Sequence, residues 1–427
     1  MRIYENLDAS NSFRDHKSTC SRKWVRCTVD PVKAAQFPAM KNNPLISSLF
    51  CVVAIALAAG MALANSSDSR GFPLATEDRV REAEWWPTKG KAKLEDFVGT
   101  KACAECHGAK VSEQKTTPMA RASALPSNAV VFRDRNPIAG QLDPFVYKLS
   151  LKDGEYDLTA SDSKNTSSAK VTWAIGLGVH GQTFILERDG AFFESRVSYY
   201  PGIERLDLTP GHPTAIPATL ENAFGLRLSE SDIQRCFGCH STASMTSGHL
   251  DLSHAFEGLT CEACHGPGAK HVAAMKDGDF EVGKHLIFNP AGLDQISSVE
   301  FCGACHRTVV DVNLVGMFDI RNLRFQPYRL ETSKCWKFGD ARLTCVACHD
   351  PHKPLVKDAA TYDDRCIRCH AASKSEKVSK DRTGKSCPVA NHDCVTCHMP
   401  KYDLPGMHSK FTDHRIRIVR KGAPYPE

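Results

Sequence analysis

One short pattern recurs seven times in this 427-residue chain and constrains it more than any other feature. The copies are Cys103-Ala-Glu-Cys106-His107, Cys236-Phe-Gly-Cys239-His240, Cys261-Glu-Ala-Cys264-His265, Cys302-Gly-Ala-Cys305-His306, Cys345-Val-Ala-Cys348-His349, Cys366-Ile-Arg-Cys369-His370 and Cys394-Val-Thr-Cys397-His398. Two thiols at this spacing bond the vinyl groups of a haem as thioethers, and the adjacent imidazole lies under the iron. Zinc ribbons pair Cys-x-x-Cys knuckles without needing a histidine directly after each, and redox dithiols occur once per domain. Here every Cys-x-x-Cys is followed by His. The pattern predicts seven c-type haems (haem c, iron), with the fourteen motif cysteines as attachment points and the seven motif histidines as iron ligands. Of the 19 cysteines, Cys335 and Cys387 then remain beyond residue 64, as one disulfide or as two separate thiols.

Residues 45–64, LISSLFCVVAIALAAGMALA, are uncharged and apolar, follow Lys41, and end in Ala62-Leu63-Ala64. This reads as a signal peptide over 40–64 cleaved after Ala64, with a membrane anchor as the alternative, since about 20 apolar residues span a bilayer. Residues 1–39 mix charges of both signs and read as an extension ahead of the true start at Met40. Export agrees with haem attachment, in which reduced thiols meet haem outside the cytoplasm, so the expected location is the periplasm. The formal charge of +5 falls to +1 when residues 1–64 are removed, and no basic block points to nucleic acid.

From Asn65 onward about 52 residues serve each motif. Such a chain draws much of its buried apolar area from the porphyrins, at roughly 25 cal/mol per Å². The expected fold is therefore mainly α, with much irregular structure wrapped around a haem stack. The intervals between motifs are 133, 25, 41, 43, 21 and 28 residues, and the long first one must hold something else. Phe145–Leu151 and Tyr156–Thr159 flank Lys152-Asp-Gly-Glu155, and Gln182–Glu187 and Ala191–Tyr200 flank Arg188-Asp-Gly190. These two hairpin signatures predict a small antiparallel β insertion at about 143–200. The organisation read from this is an N-terminal segment with the first haem over 65–142, a β-rich insertion and connector over 143–235, and a multihaem domain over 236–427.

Ten further histidines are available beyond residue 64: His180, His212, His249, His254, His271, His285, His352, His392, His408 and His414. A second imidazole makes an iron six-coordinate and suits it to electron transfer. His352 is three residues from His349, too close to reach the far side of the same iron, so it is a candidate ligand for a neighbouring haem. The same holds for His271 after His265 and for His392 before Cys394. His180 sits among glycines that allow close approach to a flat cofactor. Met119, in Thr117-Pro-Met119, is either a thioether ligand or a gap-filling apolar side chain.

Phe97-Val-Gly-Thr-Lys-Ala-Cys-Ala-Glu-Cys-His107 resembles the opening of multihaem cytochromes related to the tetrahaem cytochrome c of ammonia oxidisers. Cys261-Glu-Ala-Cys-His-Gly-Pro-Gly-Ala-Lys-His271, Ser333-Lys-Cys335, Leu343-Thr-Cys-Val-Ala-Cys-His-Asp-Pro-His352, Asp393-Cys-Val-Thr-Cys-His-Met-Pro-Lys401 and Phe411-Thr-Asp-His414 resemble the doubled-CxxCH cytochromes. The likeness covers about residues 95–418. It implies haem-wrapped, mostly α structure, periplasmic electron transfer, and distal roles for His180, His271, His352 and one of the C-terminal histidines, among them His392, His408 and His414.

Two functions follow as expectations. One is an electron carrier between redox partner proteins, associated with inner-membrane quinone-linked or outer-membrane electron-transfer complexes. The other is an oxidoreductase acting on a small nitrogen or sulfur compound at one open-coordination haem. No motif carries a lysine in place of its histidine, the mark of nitrite-reductase-type catalytic haems.

Overall fold

The computed structural model describes residues 92–133, 137–247, 249–337, 340–370, 387–420 and 422–425. The apolar segment at 45–64, the extension ahead of it and the predicted cleavage point lie outside them. Every motif lies on a helix, and all but the first end or nearly end a short one. Among the helices are α1 (Gly99–Gln114), α2 (Glu230–His240), α3 (Cys261–His265), α4 (Gln295–His306), then α5 (Gln326–Glu331), which carries no motif, α6 (Cys345–Cys348), α7 (Asp363–His370) and α8 (Cys394–His398). In α1 the motif lies mid-helix, and the backbone breaks at His107.

The mainly α expectation is wrong. With 36% of residues helical and 23% in strands, a large curled antiparallel sheet forms a half-barrel. Its strands are β1 (Ser123–Ala124), β2 (Ile138–Leu142), β3 (Phe145–Lys152), β4 (Glu155–Ser161), β5 (Thr166–Ile175), β6 (Thr183–Arg188), β7 (Ala191–Ser195) and, after the separate hairpin β8 (Val197–Tyr200) and β9 (Arg205–Leu208), β10 (Gly225–Arg227). The order is β10-β7-β6-β5-β4-β3-β2, with β1 paired to β5. Both hairpin signatures are present as β3–β4 and β6–β7. Their turns, Asp153-Gly154 and Asp189-Gly190, have positive φ at both central residues, which twists the strands in the sense a hairpin needs. The sequence signal missed the remaining strands because β5 opens with the polar run Thr166-Ser-Ser168 and β1 and β10 are two and three residues long.

The sheet has two apolar faces, and this is how the fold positions the motif region. On the concave side Tyr147, Leu149, Leu158, Val171, Phe184, Leu186, Leu206 and Phe224 form the main core. The pairing of β5 with β6 slips between Val171 and Trp173. That bulge turns Trp173 to the opposite face from Val171. There Trp173 and Ile185 pack on Ile233 and Phe237 of α2, with the Trp173 and Phe237 rings edge to face at 5.1 Å. The second motif is thus held beneath the sheet.

The sheet curls far enough that β2 meets β9. A methyl group built on Gly140 would overlap the Leu206 backbone oxygen. Gly140→Ala should therefore destabilise the folded protein by about 1–3 kcal/mol, the usual cost of overpacking. Denaturant midpoints of the two proteins check this, and an unchanged midpoint would contradict the close approach.

Candidate metal centres

Three motif histidines face a second imidazole from elsewhere in the chain. His107 stacks on His271 with ring centroids 6.5 Å apart and planes 19° from parallel. His265 stacks on His352 at 6.0 Å and 13°. His349 faces His414 at 6.3 Å and 42°. A metal–imidazole bond is about 2 Å and a ring nitrogen lies about 1 Å from its centroid, so two imidazoles on opposite sides of one metal have centroids about 6 Å apart. All three pairs have that span, so the residues present fit one metal ion between each pair.

The ring nitrogens are prepared for that role. The Nδ1–H of His265 donates to the Phe288 carbonyl at 2.8 Å, and that of His271 to Gly283 at 2.8 Å. His414 donates to Thr412 at 3.1 Å, His240 to Ala122 at 3.0 Å and His398 to Arg417 at 2.8 Å. A backbone acceptor at Nδ1 fixes the tautomer and leaves the Nε2 lone pair for a metal. Burial pushes His240, His265, His306 and His349 below the ordinary imidazole value. His414 is pushed down to about 4, by burial first and then by His349. Neutral imidazoles are what a metal needs.

The cysteines show how the motifs adjoin. Thiol contacts link Cys103 with Cys261, Cys239 with Cys305, Cys302 with Cys345 and Cys366 with Cys394. Cys305 also senses Cys264, and Cys348 senses Cys369. The motifs therefore run in space as first, third, fourth, fifth, sixth and seventh, with the second beside the fourth. Cys106 and Cys397, in the two end motifs, are exposed.

Other candidates are placed differently. His180 donates to or accepts from Ser409 Oγ at 2.5 Å and lies against Phe411. His392 pairs with Asp393, and His408 turns its Nε2 to Asp207 at 2.9 Å. Met119 opens a short 3₁₀ turn, and its carbonyl accepts from Leu259 N–H. Among the described residues, the motif histidines His240, His306 and His398 face no second imidazole in a stacked contact. Cys335 and Cys387 are both free thiols, so the disulfide expectation is not met.

Three buried carboxylates that no sequence pattern marked hold this arrangement together. Glu262, inside the third motif, accepts from Val98 and Gly99 N–H at the start of α1, both at 2.9 Å, and from Gly268 N–H at 2.8 Å. It thereby ties the helix bearing His107 to the segment bearing His271. Asp363 accepts from Asp393 and Cys394 N–H at 2.7 and 2.8 Å, joining the sixth motif to the seventh. Asp413, beside His414, receives a two-pronged contact from Arg329 at 2.8 and 3.0 Å, and both side chains are at most 1% exposed. Arg417 also donates to Asp413.

The model for the family "Cytochrome c554 and c-prime" matches residues 218–266, which hold the second and third motifs. The multihaem cytochrome MtrA of Shewanella baltica (strain OS185) is 24% identical over 212 residues, 47% of this chain and 54% of that protein. The chain thus spans about half the length of this curated relative. A crystal structure of the outer cell wall cytochrome OcwA superposes with a TM-score of 0.46 at 15% identity, covering 76% of this chain and 80% of that one.

The Arg329–Asp413 pair gives a direct check. Burial alone would raise the Asp413 carboxyl, but the Arg329 contact outweighs it and holds the group below its ordinary value. A carboxylate with a depressed folded value contributes stability above its unfolded pKa of about 3.9 and loses it as pH falls through the folded value. Asp413→Asn should cost about 3–5 kcal/mol at neutral pH by removing the carboxylate that balances the buried Arg329 charge. It should also flatten the acid limb of stability against pH, and unfolding curves at pH 7 and pH 3 measure both effects.

Proposed function

We propose that this multihaem c-type cytochrome carries electrons between redox partner proteins along a line of seven covalently attached haems. Attachment is through Cys103, Cys106, Cys236, Cys239, Cys261, Cys264, Cys302, Cys305, Cys345, Cys348, Cys366, Cys369, Cys394 and Cys397. Bound haem supplies one-electron exchange at its iron. The chain's residues supply position, tautomer and insulation. The observation that carries the reading is the set of three facing imidazole pairs, which leaves no substrate position between the partners. On this reading His271, His352 and His414 are second ligands at the first, third and fifth motifs. His107, His240, His265, His306, His349, His370 and His398 are the first ligands throughout.

The exposed end motifs support entry and exit of electrons at opposite ends of the line, with proteins of inner- or outer-membrane electron-transfer complexes as partners. Export is part of the proposal and rests on the apolar segment at 45–64. No helix among the described residues is long and apolar enough to cross a membrane. Amino-terminal sequencing of exported protein should begin near Asn65.

A second reading draws on His240, His306 and His398, which among the described residues face no stacked imidazole. An iron at any of them would offer an open position to a small nitrogen or sulfur compound. Low-temperature electron paramagnetic resonance separates the two, since the carrier reading expects mostly low-spin iron and the enzyme reading a high-spin centre that binds nitrite or carbon monoxide.

Intact mass should exceed that of the apoprotein by seven haems. In His352→Ala the mass gain should be unchanged while one iron turns from low-spin to high-spin. A mass of four haems or fewer, or a variant with an unaltered resonance spectrum, would overturn the assignment.

A further inference from the structure

Beside the fourth motif lie two cations, Arg307 and Arg324, that no carboxylate among the described residues pairs with. Arg307 directly follows His306, at positive φ where α4 ends. Its guanidinium carbon lies 5.4 Å from the Phe325 ring centroid, and that of Arg324 lies 5.7 Å from the same centroid. Both side chains are half-buried. Neither has a carboxylate within ion-pair distance among the described residues. Arg324 Nε is inaccessible and has no hydrogen-bond partner among the described residues. The nearby Arg321, by contrast, is held by Asp319. Burial, Arg307 and Arg321 all push the Arg324 guanidinium down.

The bland account is that the Phe325 ring alone stabilises both cations. A ring face attracts a cation, but it supplies no hydrogen-bond acceptor, and guanidinium N–H groups removed from water need acceptors. Two like charges on one ring also repel each other. Guanidinium forks match carboxylates and oxoanions in both charge and geometry.

We propose that Arg307 and Arg324 together bind an anionic oxygen group beside His306. The chemistry is that of a carboxylate or small oxoanion, and it has two possible sources. One is the propionate of a haem attached at Cys302 and Cys305, an arm that rests on the functional reading above. The other is a free oxoanion from solution.

The holoprotein distinguishes them. Sulfate is the probe for calorimetric titration, and the potentials of all haems are followed spectroscopically. With a propionate in place, wild type takes up no sulfate, and the double variant Arg307→Gln/Arg324→Gln shifts one haem to lower potential. The double Lys variant restores most of that shift. With a free oxoanion, wild type binds one sulfate saturably, and Arg324→Gln weakens it at least tenfold. Should the Gln variants fail to fold, a crystal structure of unaltered holoprotein soaked in bromide decides. A propionate or bromide against both guanidiniums supports the site. Unchanged potentials without sulfate binding, or two guanidiniums facing only water, overturns it. Intact mass reports haem attachment separately, so failure of the anion site is not mistaken for failure of the cytochrome reading.

Discussion

The arrangement depends on one distance, the 6.0 to 6.5 Å between facing imidazole rings that come from different parts of the chain, which is the span a single metal ion would need. His107 faces His271, His265 faces His352, and His349 faces His414. In each case the second ring comes from the segment that follows the motif two places on among the odd-numbered motifs: third to first, fifth to third, seventh to fifth. A chain stitched in this way cannot form one pair without bringing two distant segments together. The buried carboxylates sit where that requirement is greatest. Glu262 binds backbone at the start of the His107 helix and again three residues before His271. The Arg329–Asp413 pair fixes the backbone next to His414. A charge-assisted contact of this kind has directional geometry, which apolar packing lacks, and a facing ring pair needs direction.

The half-barrel serves the same end by a different route. One bulge in β5 puts Trp173 on the face opposite Val171, and through it the sheet covers α2 and the second motif. Without that slip the tryptophan would join the concave core and the covering face would lose its largest ring. Covering a redox site lowers its local dielectric and is one of the levers a protein has on reduction potential. The end motifs, with Cys106 and Cys397 exposed, lack such cover.

How much of this was readable in advance follows from the range of each signal. The motifs and their helical turns are local, and so are the Asp-Gly turns of β3–β4 and β6–β7. The extent of the sheet is not local. β5 is half polar along its length, and β10 is three residues whose pairing depends on β7 being present. The tether argument kept His352 from serving His349 and His271 from serving His265, and in the structure those rings face His265 and His107 instead. Which ring each would face was beyond it, because ten equivalent histidines carry no address in their sequence. Glu262, Asp363 and Asp413 were illegible for the same reason. A buried acceptor of backbone N–H groups looks, in sequence, like any surface acid.

The spatial order of the motifs gives the fourth a particular place. It adjoins the second, the third and the fifth, so it is the branch point of an otherwise linear series. It is also where Arg307 and Arg324 lie. Fixed positive charge beside a redox centre stabilises the reduced form, and its effect grows as water is excluded. An anion held between the guanidiniums, as proposed, would cancel part of that stabilisation. On the proposed reading, the same two side chains would set how strongly the junction retains an electron arriving from any of its three neighbours, with the occupancy and charge of the anion as the variable.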